Sequence, residues 1–146
     1  MFRGQYEHTI DTKGRVSVPS NFRELIQENY SEALVLTRFN DCLVCYPQEE
    51  WDALEKKIAQ LPQLKPEVQV FQRFFLSGAS NCQFDKQGRI LIPAFLRQHA
   101  GIEKEVVFVG MLKKIELWSK DRWEKAFAES QEKFSAMSSV LSDLGI

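Results

Sequence analysis

Two short segments hold the residue types best suited to chemistry: Asp11-Thr12-Lys13-Gly14-Arg15 and Asp85-Lys86-Gln87-Gly88-Arg89. Each sets an aspartate four residues before an arginine, with glycine directly ahead of the arginine. An aspartate that opens a turn accepts backbone hydrogen bonds, and glycine supplies the positive φ that a hairpin turn or bulge needs. An arginine at such a tip can meet a phosphate or bridge guanine O6 and N7. Lys13 and Lys86 add charge beside the tips. The competing reading is an internal clamp, in which Arg15 pairs with Asp11 or Asp85 and merely shapes the turn. Residue types alone leave both open.

Other candidates are weaker. Cys42-x-x-Cys45 falls in a segment expected to be a strand, where residues three apart point to opposite faces, so the sulfurs cannot chelate together. The only other cysteine is Cys82, short of the four ligands of a structural zinc site. His8 and His99 are the only histidines, and His99 sits near a helix end before Gly101. No nucleophile elbow, phosphate loop or paired-histidine zinc motif occurs. Neither catalysis nor a metal or cofactor is expected.

Charge and composition narrow the partner. Nineteen Lys and Arg against 20 Asp and Glu give a net charge of −1, which excludes a polycation that coats nucleic acid through bulk charge. A nucleic-acid site must be local, or multiplied by assembly. The odd cysteine count, the N-terminus without an apolar signal region, and the lack of any stretch near the ~18 apolar residues of a membrane span point to a cytosolic setting.

The elements that position the turns come from an internal repeat. At a shift of 74, Gly4 aligns with Gly78, Asp11 with Asp85, Gly14-Arg15 with Gly88-Arg89, Pro19 with Pro93 and Arg23 with Arg97. The apolar phase follows: Val16 with Ile90, Val18 with Ile92, Phe22 with Leu96. Later the shift becomes 72, matching Tyr46 to Trp118 and Trp51 to Trp123. This divides the chain into a first module at 1–60, a linker and connecting helix at 61–74, and a second module at 75–146. Each module reads as strand, tight turn, strand, short helix (Pro19–Glu28, Pro93–His99), hairpin, longer helix. The hairpin strands are expected at Ala33–Thr37 and Cys42–Tyr46, and at Glu105–Val109 and Lys114–Trp118. Modules this small sit at the margin of independent stability, so they should pair about a pseudo-two-fold axis.

The opening Met1-Phe2-Arg3-Gly4, the twice-used Asp-x-x-Gly-Arg turn followed by Pro, and Cys42-Leu43-Val44-Cys45-Tyr46-Pro47 resemble the MraZ family of bacterial transcriptional regulators. Phe108-Val109-Gly110 and Ile115-Glu116-Leu117-Trp118 extend the resemblance over nearly the whole chain, with Tyr46 where the family has Phe. The tail after about Phe134 matches no motif. The resemblance implies an α+β fold: two AbrB-like modules forming a pseudo-dimeric swapped-hairpin β-barrel with flanking helices. It implies a ring homo-oligomer of eight or more subunits on repeated sites in double-stranded promoter DNA of a cell-division and cell-wall gene cluster, in the cytoplasm at the nucleoid and with no membrane partner. Carried over residue by residue, Arg15 and Arg89 are the DNA contacts, Lys13, Lys86 and Arg3 support them, and Asp11, Gly14, Asp85 and Gly88 build the turns. The alternative is an oligomeric interaction module whose basic turns are structural.

Overall fold

The computed structural model describes residues 1–146 and contains two runs of similar elements. The first holds β1 (Gln5–Thr9), β2 (Arg15–Ser17), α1 (Ser20–Asn29), β3 (Ala33–Phe39), β4 (Cys42–Pro47) and α2 (Gln48–Ala59). Then come α3 (Pro66–Phe75) and one 3-10 turn, Leu76–Gly78. The second run holds β5 (Ser80–Gln83), β6 (Arg89–Leu91), α4 (Ala94–Ala100), β7 (Glu105–Met111), β8 (Lys114–Ser119), α5 (Lys120–Phe134) and α6 (Ser138–Asp143).

Local chemistry sets these boundaries. Pro19 and Pro93 stay extended, at φ −49° and −55°, and the helices start one residue beyond them. Their carbonyls accept from Arg23 and Arg97 N–H, both at 3.0 Å, closing the first helical turns. The later hairpins run further than their apolar spacing predicts. The turns shrink to Asn40-Asp41 and Leu112-Lys113, with Asn40 at φ 51° and Leu112 at φ 68°. Asn adopts that conformation readily, whereas Leu does not. Leu112 is held there by reciprocal backbone bonds with Phe2, at 2.8 and 2.9 Å. Ser119 caps α5 as its sequence position suggests, accepting from Arg122 N–H. The last apolar run is not one helix: it breaks at Ser135–Met137 and resumes as α6.

The halves exchange strands. The six-stranded antiparallel sheet has the order β1-β7-β8-β4-β3-β5, so each half's opening strand pairs with the other half's hairpin. A separate ribbon pairs β2 with β6 in the register Arg15↔Leu91, Val16↔Ile90, Ser17↔Arg89. Adding 74 to one side of that register returns the other, so the pseudo-dyad passes between Val16 and Ile90. Both are 1% exposed, in a core of 19 buried residues that also takes in Phe22, Ile26, Leu96, Phe108 and Leu117. A barrel closed by strand pairing is not present: the sheet ends at β1 on one side and β5 on the other, and no ladder joins them.

Two tests follow from this interlocking. Residues 1–64 alone would leave β1 without β7, β3 without β5 and Val16 without Ile90, at ~1.5–3 kcal/mol per large apolar side chain stranded. We expect no folded monomer from this fragment, although a homodimer rebuilding β2–β6 between chains fits the same logic. A dispersed NMR spectrum from a species of single-fragment mass would refute it. Gly14, at φ +90°, has no space for a side chain: a Cβ would stand 2.9 Å from both the Ile92 carbonyl and the Arg97 guanidinium carbon. Gly14→Ala should therefore cost ~1–3 kcal/mol, read as a lower urea midpoint, and an unchanged midpoint would reject that packing.

Candidate nucleic-acid interface

Each turn is built around its aspartate. Asp11 Oδ1 accepts from the backbone N–H of Lys13 (3.0 Å) and Arg15 (2.8 Å), while Oδ2 accepts from Arg15 Nε (2.8 Å). The second turn repeats the pattern: Asp85 Oδ1 accepts from Gln87 and Arg89 N–H, both 2.9 Å, and Oδ2 from Arg89 Nε at 2.8 Å. Gly14 and Gly88, at φ +90° and +74°, let the chain close as a bulged hairpin. The backbone N–H of Arg15, more than its guanidinium, holds the Asp11 carboxyl below the usual carboxylate range, and Arg89 does the same for Asp85. The internal clamp is therefore present at both turns.

Clamping consumes only part of each guanidinium. Nε faces the aspartate, which leaves the two terminal nitrogens of Arg15 without a partner. On Arg89, Nη1 makes only a long approach to Asp11 Oδ2, at 3.9 Å. The side chains of Arg15 and Arg89 remain 37% and 27% exposed, enough to reach a ligand. Because Arg15 and Ser17 stand opposite Leu91 and Arg89, all four lie on the outer face of the ribbon, while Val16 and Ile90 point inward. Arg15 and Arg89 are diagonal neighbours there, roughly 7–8 Å apart through the backbone. Their planes are fixed in advance of any contact, which lowers the entropy lost on binding.

The turns are also locked to each other. Ile92 N–H donates to the Gly14 carbonyl at 2.8 Å, and Val18 N–H to the Gly88 carbonyl at 3.2 Å. Arg97 Nε donates to the Ile92 carbonyl and Arg23 Nε to the Val18 carbonyl, each at 3.0 Å, so each guanidinium lies over the opposite half's glycine. Sequence reasoning paired Arg23 with Arg97 but gave them no role. The available signal was their constant position nine residues after each turn glycine.

The remaining candidates separate. Lys13 and Lys86 are exposed on the turns. Arg3 is not brought to them: it lies at the far end of β1, beside Gly110 of the β7–β8 hairpin, some 20 Å away at ~3.3 Å per strand residue. Cys42 and Cys45 are both buried in β4. Burial pushes the Cys42 thiol up to about 12, and a hydrogen bond with Cys82 together with burial raises Cys45. Such thiols are poor nucleophiles and poor ligands at neutral pH. His8 packs edge-on against Phe108, and burial, with Arg23 nearby, lowers its basicity. His99 bonds the Asn40 carbonyl at 2.7 Å, and Gly101 ends α4 in the left-handed conformation. No helix is long and apolar enough to cross a membrane.

Comparison with known proteins agrees with this duplicated architecture. The family described as "MraZ protein, putative antitoxin-like" matches twice, over residues 1–74 and 75–143. A protein of Thermoanaerobacter sp. (strain X514) named "Transcriptional regulator MraZ" is 48% identical over 147 residues, covering 100% of both chains. Proteins of the same name from Lachnoclostridium phytofermentans, at 46% over 100% of this chain and 99% of the relative, and Syntrophobacter fumaroxidans, at 41% over 99% and 97%, are similar throughout. The chain belongs to the MraZ family, whose curated members are named transcriptional regulators.

Proposed function

We propose that this protein is a sequence-specific DNA-binding transcriptional regulator, and that the outer face of the β2–β6 ribbon is its DNA-reading surface. The observation that carries this reading is the pair Arg15 and Arg89, held as diagonal neighbours on an exposed two-stranded ribbon, with the terminal nitrogens of Arg15 free and those of Arg89 engaged only by one long approach to Asp11. An antiparallel ribbon fits the B-DNA major groove, and a guanidinium presenting two nitrogens matches guanine O6 and N7. Lys13 and Lys86 supply phosphate contacts at the flanks. Arg3 stands outside this surface and has at most a separate backbone contact. The exchange of opening strands between halves supports a swapped-hairpin arrangement of the AbrB-like kind.

The protein acts as a ring of eight or more copies on short repeated promoter sites. Support comes from the charge: at −1 per chain, one copy makes few phosphate contacts, whereas neighbouring copies on repeated sites bind with avidity. The family resemblance extends the proposal to control of a cell-division and cell-wall gene cluster that includes its own gene, with the protein at the nucleoid. The Asp–Arg clamps favour one rival, an interaction module in which the basic turns are purely structural.

The deciding experiment uses duplex DNA from upstream of the protein's own gene. Arg15→Ala and Arg89→Ala should each weaken binding by ~1–3 kcal/mol per bound subunit, or about 5- to 150-fold, with thermal midpoint and oligomer mass near normal. Raising salt should weaken wild-type binding with a log–log slope of ~0.9 per phosphate contacted. Unchanged affinity in Arg15→Ala, with assembly intact, would remove the ribbon from the site. A variant that melts before it loses affinity would favour the structural rival.

A further inference from the structure

The two halves differ in how their outer surfaces are finished. In the first half, α3 lies along β3 beside α2. Phe75 stacks on Trp51 with ring centroids 5.5 Å apart, and the two are only 3% and 4% exposed. Thr37 Oγ1 donates to the Phe75 carbonyl, and Arg38 Nη1 to the Phe74 carbonyl at 2.8 Å. The shift of 72 carries Val35 to Val107, Trp51 to Trp123 and Val68 to Val140, so the counterpart of α3 is α6. Yet α6 does not fold back. Helix α5 has 15 residues where α2 has 12, and α6 leaves its end with no residue buried. The position that α3 fills in the first half is therefore an open groove in the second. It has a volume of about 260 Å³, with Tyr6, Val107, Trp123 and Phe127 on its apolar side and the ion-paired Glu7 and Lys120 on its polar rim; Phe127 is 48% exposed.

One chain thus carries an uncovered groove and, beyond α5, an uncovered tail around the short helix α6. Phe134 at the end of α5, Met137 and Leu144 flanking α6, and Val140 within it are all exposed. We propose that α6 of a second copy of this chain occupies the groove between β1, β7 and α5, as α3 occupies its counterpart within the chain. The inference rests on the oligomer reading above and names its interface. A tail that enters a different patch on its neighbour makes a heterologous contact, the kind that closes into rings when the rotation permits. Val109 and Gly110 stand where Thr37 and Arg38 latch α3, so the incoming helix lacks that pair of side-chain-to-carbonyl bonds.

The test uses full-length chains altered only at exposed positions, so that each subunit keeps its fold. Phe127→Glu spoils the groove and leaves the tail, and Val140→Asp with Leu144→Asp spoils the tail and leaves the groove. Light scattering at micromolar concentration should give wild type as a multiple of 17.0 kDa and each variant as a single chain. Mixed one to one, the variants retain one intact groove and one intact tail, and should form a heterodimer and nothing larger. Either variant keeping the wild-type mass, or a mixture that stays monomeric because a tail covers its own groove, overturns the inference while leaving the oligomer reading intact. A monomeric wild type overturns both.

Discussion

The rest of the molecule depends on the pairing of β2 with β6 across the pseudo-dyad. Only three residues from each strand take part, but they set Val16 against Ile90 at the centre of the core. Each strand also delivers its turn glycine to the other half, where the Gly14 and Gly88 carbonyls accept from Ile92 and Val18. A side chain at either glycine would push the arginine above it off its carbonyl, so residue choice at the turn is set by the opposite half. This is why an Asp-x-x-Gly-Arg turn recurs as a unit: its two ends satisfy one half and its glycine satisfies the other.

Under the proposed function the clamp and the DNA-reading arginine are one device rather than rivals for the same side chain. An exposed Arg–Asp pair contributes little stability, commonly under ~1 kcal/mol, because water screens it and side-chain entropy opposes it. Its main effect here is directional. Asp11 takes Nε of Arg15 and two backbone N–H groups with a single carboxylate, so guanidinium and turn are oriented together. A free arginine would lose rotamer entropy on meeting a base, whereas this one has already lost it during folding. The same holds at Asp85 and Arg89, with Asp11 near enough to bias the Arg89 terminal nitrogen as well.

Much of this was legible from residues. The repeat located both turns, both short helices after Pro19 and Pro93, and both hairpins, because glycine, proline and apolar phase are local signals. The extents of the hairpins were not legible. Arg38 and Gly110 break the apolar runs, yet pairing continues through them to Phe39 and Met111, and in the second hairpin on to the Phe2–Leu112 bridge. The roles of Arg23 and Arg97 were hidden for a related reason: each caps a carbonyl of its own half but covers the glycine of the other, a contact that no window of sequence contains. Arg3 lies at the opposite end of β1 from the first turn, a separation set by strand length that its residue type does not show. The open sheet edges at β1 and β5 come from which strands pair, a tertiary choice that apolar spacing does not encode.

Duplication within one chain has a consequence that a symmetric homodimer cannot share. Two identical subunits about a dyad must present identical outer surfaces, so a groove on one implies the same groove, and the same covering helix, on the other. Once the halves are fused they can diverge. Here the connection between them, α3, must lie over Trp51 because the chain has to return from α2 to β5. In the second half α5 is longer than α2 and α6 leaves the surface, so Trp123 is only half-buried and Phe127 is exposed. The ribbon keeps its pseudo-dyad, which the proposed two-armed reading of DNA needs, and the outer surface loses it, which the proposed head-to-tail assembly needs.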